Sequence, residues 1–143
     1  MSNPTERVKT LLHDLQQDTD RYQRLLALLE QQRKAMLACH AARSEEIGGE
    51  LMTVYPLLQA SARRRAETLV GFSLSPDGRG LLALFSRLPT ALRERATGWW
   101  AQLEQQAQRC QQLNQHNGLL LSSQQEMLGS LLHNDPQDFL YSR

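Results

Sequence analysis

Lysine is nearly missing from this sequence: two residues against fourteen arginines, in a chain of 143 with a formal net charge of +1. A near-neutral balance excludes the large cationic field that nucleic acid requires. Aromatic residues make up only 6%, which argues against an aromatic-lined ligand cavity. Cysteine is limited to Cys39 and Cys110, far apart and without CxxC spacing, as expected of a reduced pair in an intracellular protein. No run approaches the ~20 apolar residues of a membrane span. The opening MSNPTERVKTLLHDL has no apolar segment of signal-peptide type. A cytoplasmic location is therefore expected. β alternation, internal repeats and a glycine-rich phosphate loop are also missing, and no spacing suggests a paired-acid cleft.

What remains is helical periodicity. Residues 5–41 contain neither glycine nor proline. A heptad read from Val8 places Val8, Leu15, Tyr22, Leu29 and Met36 at a, and Leu11, Leu25 and Cys39 at d, with Leu12 and Leu26 at e. A seam sustained this long predicts one amphipathic helix, started at Asn3-Pro4 with Asn3 or Thr5 as cap. At ~1.5 Å per residue it would be on the order of 50 Å long and would need partners along its whole length. Ser44-Glu45-Glu46 reads as the start of a second helix, carried on by Ile47, Leu51, Val54, Leu58, Ala62 and Leu69. Pro56 predicts a kink or break near Tyr55. GFSLSPDGRG, residues 71–80, is a turn cluster. A short helix over 81–88 is expected before Pro89, and Thr90 is a plausible cap for a last helix over 91–133. Asn134-Asp135-Pro136 stops it, leaving residues 134–143 as a short flexible tail. The expected fold is all-α: one domain over residues 1–143, an antiparallel bundle or coiled coil of three long helices plus a short one.

The last helix is unusual in its polar face. Ala96, Leu103, Cys110, Asn117, Gln124 and Leu131 fall at a; Leu92, Trp99, Gln106, Leu113, Leu120 and Met127 fall at d. Between residues 98 and 134 only Glu104, Arg109 and Glu126 are charged; the remainder is Gln, Asn, Ser and His. Leu119, Leu120 and Leu121 fan over about 200°, and Leu128 at e and Leu132 at b add further apolar surface. One neighbour cannot cover all of this. Charged groups are costly to desolvate, so a rim of neutral amides is easier for another helix to cover. Either two helices of the same chain flank it or a partner does. Asn114 and Asn117 lie at i and i+3. A buried Asn at a lowers stability and sets register, and Gly118 costs roughly 1 kcal/mol relative to Ala while admitting close backbone approach. Two such penalties side by side point to a contact site.

Other chemistries fare poorly. Cys39, His40, Cys110 and His116 are a notional metal set, but Cys110 and His116 lie about 240° apart around one helix; both cysteines read better as core at d and a. Trp99-Trp100 reads as bundle core and rim. Arg63-Arg64-Arg65 reads as a solvated face, too small for a nucleic-acid footprint. The last helix lacks the cations of a membrane-surface helix. No catalytic, metal or cofactor site is expected. A self-associating helical adaptor remains the alternative to a partner-binding protein.

LNQHNGLLL, residues 113–121, resembles the signature of the FlgN family of flagellar type III export chaperones, whose last long helix carries a Leu-Asn-x-x-Asn-Gly-x-Leu-Leu core. The likeness runs from about Trp99 through Gln124 and reappears at Leu140-Tyr141, where the family commonly reads Leu-Tyr-Gly and this sequence continues Ser142-Arg143. The long glycine-free first helix and long glutamine-rich last helix are similar too. The resemblance implies a chaperone that binds the C-terminal segments of the hook–filament junction proteins FlgK and FlgL, keeps them soluble and brings them to the export-gate protein FlhA. It assigns Asn114, Asn117, Gly118, Leu120 and Leu121 to client binding and Tyr141 to gate docking. The helix reading adds Leu119, Gln124, Leu128 and Leu132 to the client face. No nucleic acid, no membrane insertion and a monomer or weak homodimer are expected.

Overall fold

The computed structural model describes residues 3–133, with side chains described through 122. Four helices follow in order: α1 over Pro4–Leu37, α2 over Ala41–Gly71, α3 over Gly78–Phe85 and α4 over Thr90–His133. The all-α architecture with long first and last helices is thus as expected. Asn3 caps α1, its Oδ1 accepting from the Glu6 amide at 2.8 Å, and Pro4 supplies the first turn without needing an amide donor.

The exits of α1 and α2 use the same device. The His40 amide donates to the Ala35 carbonyl and the Cys39 amide to Met36; the Leu74 amide donates to Leu69 and the Ser73 amide to Val70. These are paired 6→1 and 5→2 bonds around a left-handed residue. The left-handed residues are Cys39 (φ 55°) and Ser73 (φ 61°), neither of them glycine. Cys39 is therefore an exposed turn residue, not a core d residue: the seam ends when α1 unwinds at Leu37.

Other boundaries also move. Helix α2 starts at Ala41, ahead of Ser44-Glu45-Glu46, because the tight exit of α1 leads straight into it. It runs unbroken through Pro56. Pro56 and Met52, the residue one turn earlier, are both on the solvent side, where water satisfies the released carbonyl. Helix α3 begins at Gly78, earlier than expected, since Asp77 caps it by accepting from the Arg79 and Gly80 amides. The Ser75 hydroxyl and those amides hold the Asp77 carboxyl below its ordinary pKa. A Cβ at Gly80 would overlap the Ser75 carbonyl, so this turn requires glycine. Thr90 is the first residue of α4 rather than its cap; the Pro89 carbonyl receives the Arg93 amide at 2.8 Å.

Helix α1 is the spine. Helices α2 and α4 each pack along it, and α3 bridges their far ends. Helix α2 runs antiparallel to α1, with Asp18 opposite Ser61 and Gln31 opposite Arg43. Helix α4 runs parallel to α1 at a constant register. Gln106 reaches Thr19, Cys110 reaches Tyr22 and Asn117 reaches Leu29, separations of 87, 88 and 88 residues. Two apolar clusters result. One joins Leu25, Leu28 and Leu29 to Ile47, Leu51, Val54 and Leu58 of α2 and to Cys110 and Leu113 of α4. The other gathers Leu11, Leu15, Leu69, Leu81, Phe85, Ala96 and Leu103 around α3.

The α1–α2 seam is ionic as well as apolar. Asp14 receives Arg64 through two bonds of 3.0 and 3.1 Å. Asp18, 2% exposed, receives the Ser61 hydroxyl at 2.6 Å and Arg21 at 2.9 Å, with Arg65 at 3.5 Å. Arg64 and Arg65 are therefore not a free solvated face; Arg63 alone of the run is exposed without a described partner. Single-helix periodicity cannot reveal this, because Asp14 and Asp18 of α1 meet Arg64 and Arg65 of α2 across 47 to 50 residues of sequence.

Candidate functional site

Helices α2 and α4 pack on the same spine without their backbones touching. Between them lies an open furrow of about 300 Å³. Its floor is Tyr22 and Leu25 of α1; Tyr55, Leu58, Gln59 and Ala62 form one wall; Ala107, Cys110, Gln111 and Asn114 form the other. No charged side chain lines it. At one end Arg65 of α2 reaches over the Trp100 ring of α4, 5.4 Å from its centroid, and bridges the two walls. The surroundings are dry enough to act on the chemistry: burial raises the Cys110 thiol pKa from 9.0 to about 11. Burial raises Tyr55 as well, and Tyr22 more through burial than through its acidic neighbour Asp18.

Helix periodicity extends the α4 wall. Steps of four and three residues from Asn114 lead to Gly118 and Leu121. Asn114, Gly118 and Leu121 are exposed, Leu121 at 46%, and among the described residues no other element lies within 4 Å of a Cβ built at Gly118. The 88-residue register sets Leu37, the end of α1, level with residue 125. Residues 126–133 of α4 continue past it for about 12 Å.

The expected site residues therefore separate. Asn114 lines the furrow, and Gly118 and Leu121 continue its stripe at helical spacing. Asn117 faces inward at 3% exposure, donating to the Leu29 carbonyl at 2.9 Å and, more weakly, to Gln32 at 3.4 Å. It sets the α1–α4 register, as an a-position Asn does. Leu120 is half-buried. Leu119, 71% exposed, lies about 200° from Leu121 on the other flank. The side chains of Gln124, Leu128 and Leu132, and all of Tyr141, fall outside the described residues. Reading α4 alone misses the α2 wall: Tyr55, Leu58, Gln59 and Ala62 become site residues only through tertiary placement.

The furrow is an uncharged, open surface between two helices. Among the described residues no three His, Cys, Asp or Glu side chains form a metal cluster. No helix there is long and apolar enough to cross a membrane. Comparison with known families settles the kinship, since the family model described as FlgN protein matches residues 1–134. The chain belongs to the FlgN family. FlgN proteins are flagellar export chaperones that bind flagellar hook-associated proteins, a chaperone family rather than an enzyme family. No curated protein and no solved structure matches this FlgN chain.

Proposed function

We propose that this FlgN-family chain is a cytoplasmic export chaperone for the junction proteins FlgK and FlgL. It holds their C-terminal segments through the outward stripe of α4 and delivers them to FlhA, with Tyr141 contributing to gate docking. The observation that carries the reading is Leu121: a large apolar side chain, 46% exposed, in line with an uncharged furrow. A segment disordered alone folds as an amphipathic helix against such a face. Ordering that segment offsets part of the burial, so binding is moderate and reversible, which suits handover.

The test replaces Leu121 and Leu128 together with Asp. Titration calorimetry against the FlgK C-terminal segment should show binding abolished, with the helical circular dichroism of the chaperone unchanged. Undiminished binding would refute the assignment of these residues.

A further inference from the structure

We propose that the furrow between α2 and α4 is the seat of a fourth helix, supplied by the client, so that α2 forms half of the binding site. The inference rests on the chaperone reading above and specifies its geometry. The bundle is incomplete in one place: α1 is covered by α2 on one side and α4 on the other, and the space between those two is open above Tyr22 and Leu25. Helices pack 8–10 Å apart, and a cleft between two helices on a common floor is the position a fourth helix takes in a bundle.

The walls specify the occupant. Gln59 of α2 and Gln111 and Asn114 of α4 are neutral amides, and no acid or base lines the furrow. A seated helix must then present an uncharged face, apolar at its centre with amide or hydroxyl flanks, because a charge inserted here finds no counter-charge. The run from Ala107 to Leu121 corresponds to a client helix of roughly 15 residues. A second copy of this chain fits less well. The uncharged stripe it would offer at this furrow is that same α4 wall, and two walls laid together leave both furrows unfilled. The stretch of α4 beyond α1, about 12 Å long, is too short for the ~800 Å² per partner of a standard interface. Hook-associated proteins, the family's partner class, are therefore the occupants the geometry points to.

The test places charge on both walls with Gln59→Glu plus Gln111→Glu, positions that are exposed and carry no described hydrogen bond of the fold. A control carries Gln115→Glu, at the exposed outer face of α4. The probe is the FlgK C-terminal segment. Affinity for the double variant should fall on the order of tenfold or more, since a buried unpaired charge is costly, while the control binds as the unmodified chain. Helical circular dichroism of the mixture should exceed the sum of the separate components. Equal affinity of the double variant and the unmodified chain would overturn the furrow and leave the chaperone reading standing. Binding without added helix would overturn the fourth helix. No binding by the unmodified chain would sink both. A change in sedimentation of the client-free chain on adding the charges would assign the furrow to a second copy, and the proposal would fail.

Discussion

Removing the Asp18 carboxylate should be among the most damaging single changes to this fold, and its size can be worked from the contacts. Asp18 is 2% exposed and Ser61 is fully buried. Asp18→Ala leaves the Ser61 hydroxyl without its 2.6 Å acceptor. It also leaves Arg65, whose side chain is only 14% exposed, without its counter-charge at 3.5 Å. A hydrogen bond to a charged acceptor is worth about 1.5–3 kcal/mol, and stranding one partner of a buried ion pair about 3–5 kcal/mol. These overlap, because both describe one carboxylate. Arg21 contributes less, being 23% exposed and able to turn to water. The expected loss is therefore about 4 kcal/mol. With an m-value near ~2 kcal/mol/M, the urea midpoint should drop by about 2 M. The internal comparison is Glu46→Ala. Glu46 meets Arg43 at 3.1 Å, but both are largely exposed, so less than about 0.5 kcal/mol is expected. A loss under about 1 kcal/mol for Asp18→Ala, or parity with Glu46→Ala, would show that the acid–arginine seam does not hold α1 to α2.

At pH 8 the buried Cys110 thiol, its pKa raised from 9.0 to about 11, should alkylate on the order of a hundredfold more slowly than the same thiol in the unfolded chain, because the thiolate is the nucleophile; equal rates would place Cys110 outside the core. The folded value lies above the ordinary 9.0, so this contribution to stability is complete below pH 9 and is lost between about 9 and 11, by up to roughly 2–3 kcal/mol. Chemical denaturation across that range should show a larger fall in the parent than in Cys110→Ala, where the raised Tyr22 and Tyr55 still contribute. At the exit of α2, Ser73→Gly should raise stability by about 1 kcal/mol by relieving a left-handed non-glycine residue, whereas Gly80→Ala should lower the melting temperature, because its Cβ meets the Ser75 carbonyl. The reverse order of melting temperatures would refute the turn geometry.

The heptads of α1 and α4 were legible in the sequence because apolar side chains repeat on one helix without reference to any other. Thus Leu15, Leu29, Leu103, Cys110 and Leu113 all sit in the core. Asn117 at a was legible for the same reason. The seam's d position at residue 18 holds an acid, which looks like a flaw until Ser61 and Arg65 of α2 are placed opposite it. Cys39 fits the seam by count and leaves it in space, since the chain turns left-handed there. The α4 half of the furrow could be anticipated from Asn114, Gly118 and Leu121. The α2 half could not: Tyr55, Leu58, Gln59 and Ala62 are ordinary residues of an amphipathic helix, and nothing local says that α4 stands off from them.

The polar chemistry is divided between the two seams in a way that follows from what each must do. Between α1 and α2 the polar contacts are charged, with Asp14, Asp18, Arg64 and Arg65 locked across the interface. Along the α1–α4 seam the polar groups reaching the spine's carbonyls are neutral, from Gln106 and Asn117, and Arg109 meets Glu30 only at the surface, at 3.7 Å. A seam covered once, during folding, can bury ions that are paired for good. The furrow beside these seams is the surface that the proposed client would cover and uncover, and its lining carries no charge, since every covering would strip charges of water. The boundary between the two regimes lies at Arg65, which reaches Asp18 on one side and the Trp100 ring on the other. It closes the furrow at that end. The other end runs past Leu121 toward the part of α4 that outreaches α1, so a client helix longer than the furrow has only one direction in which to extend.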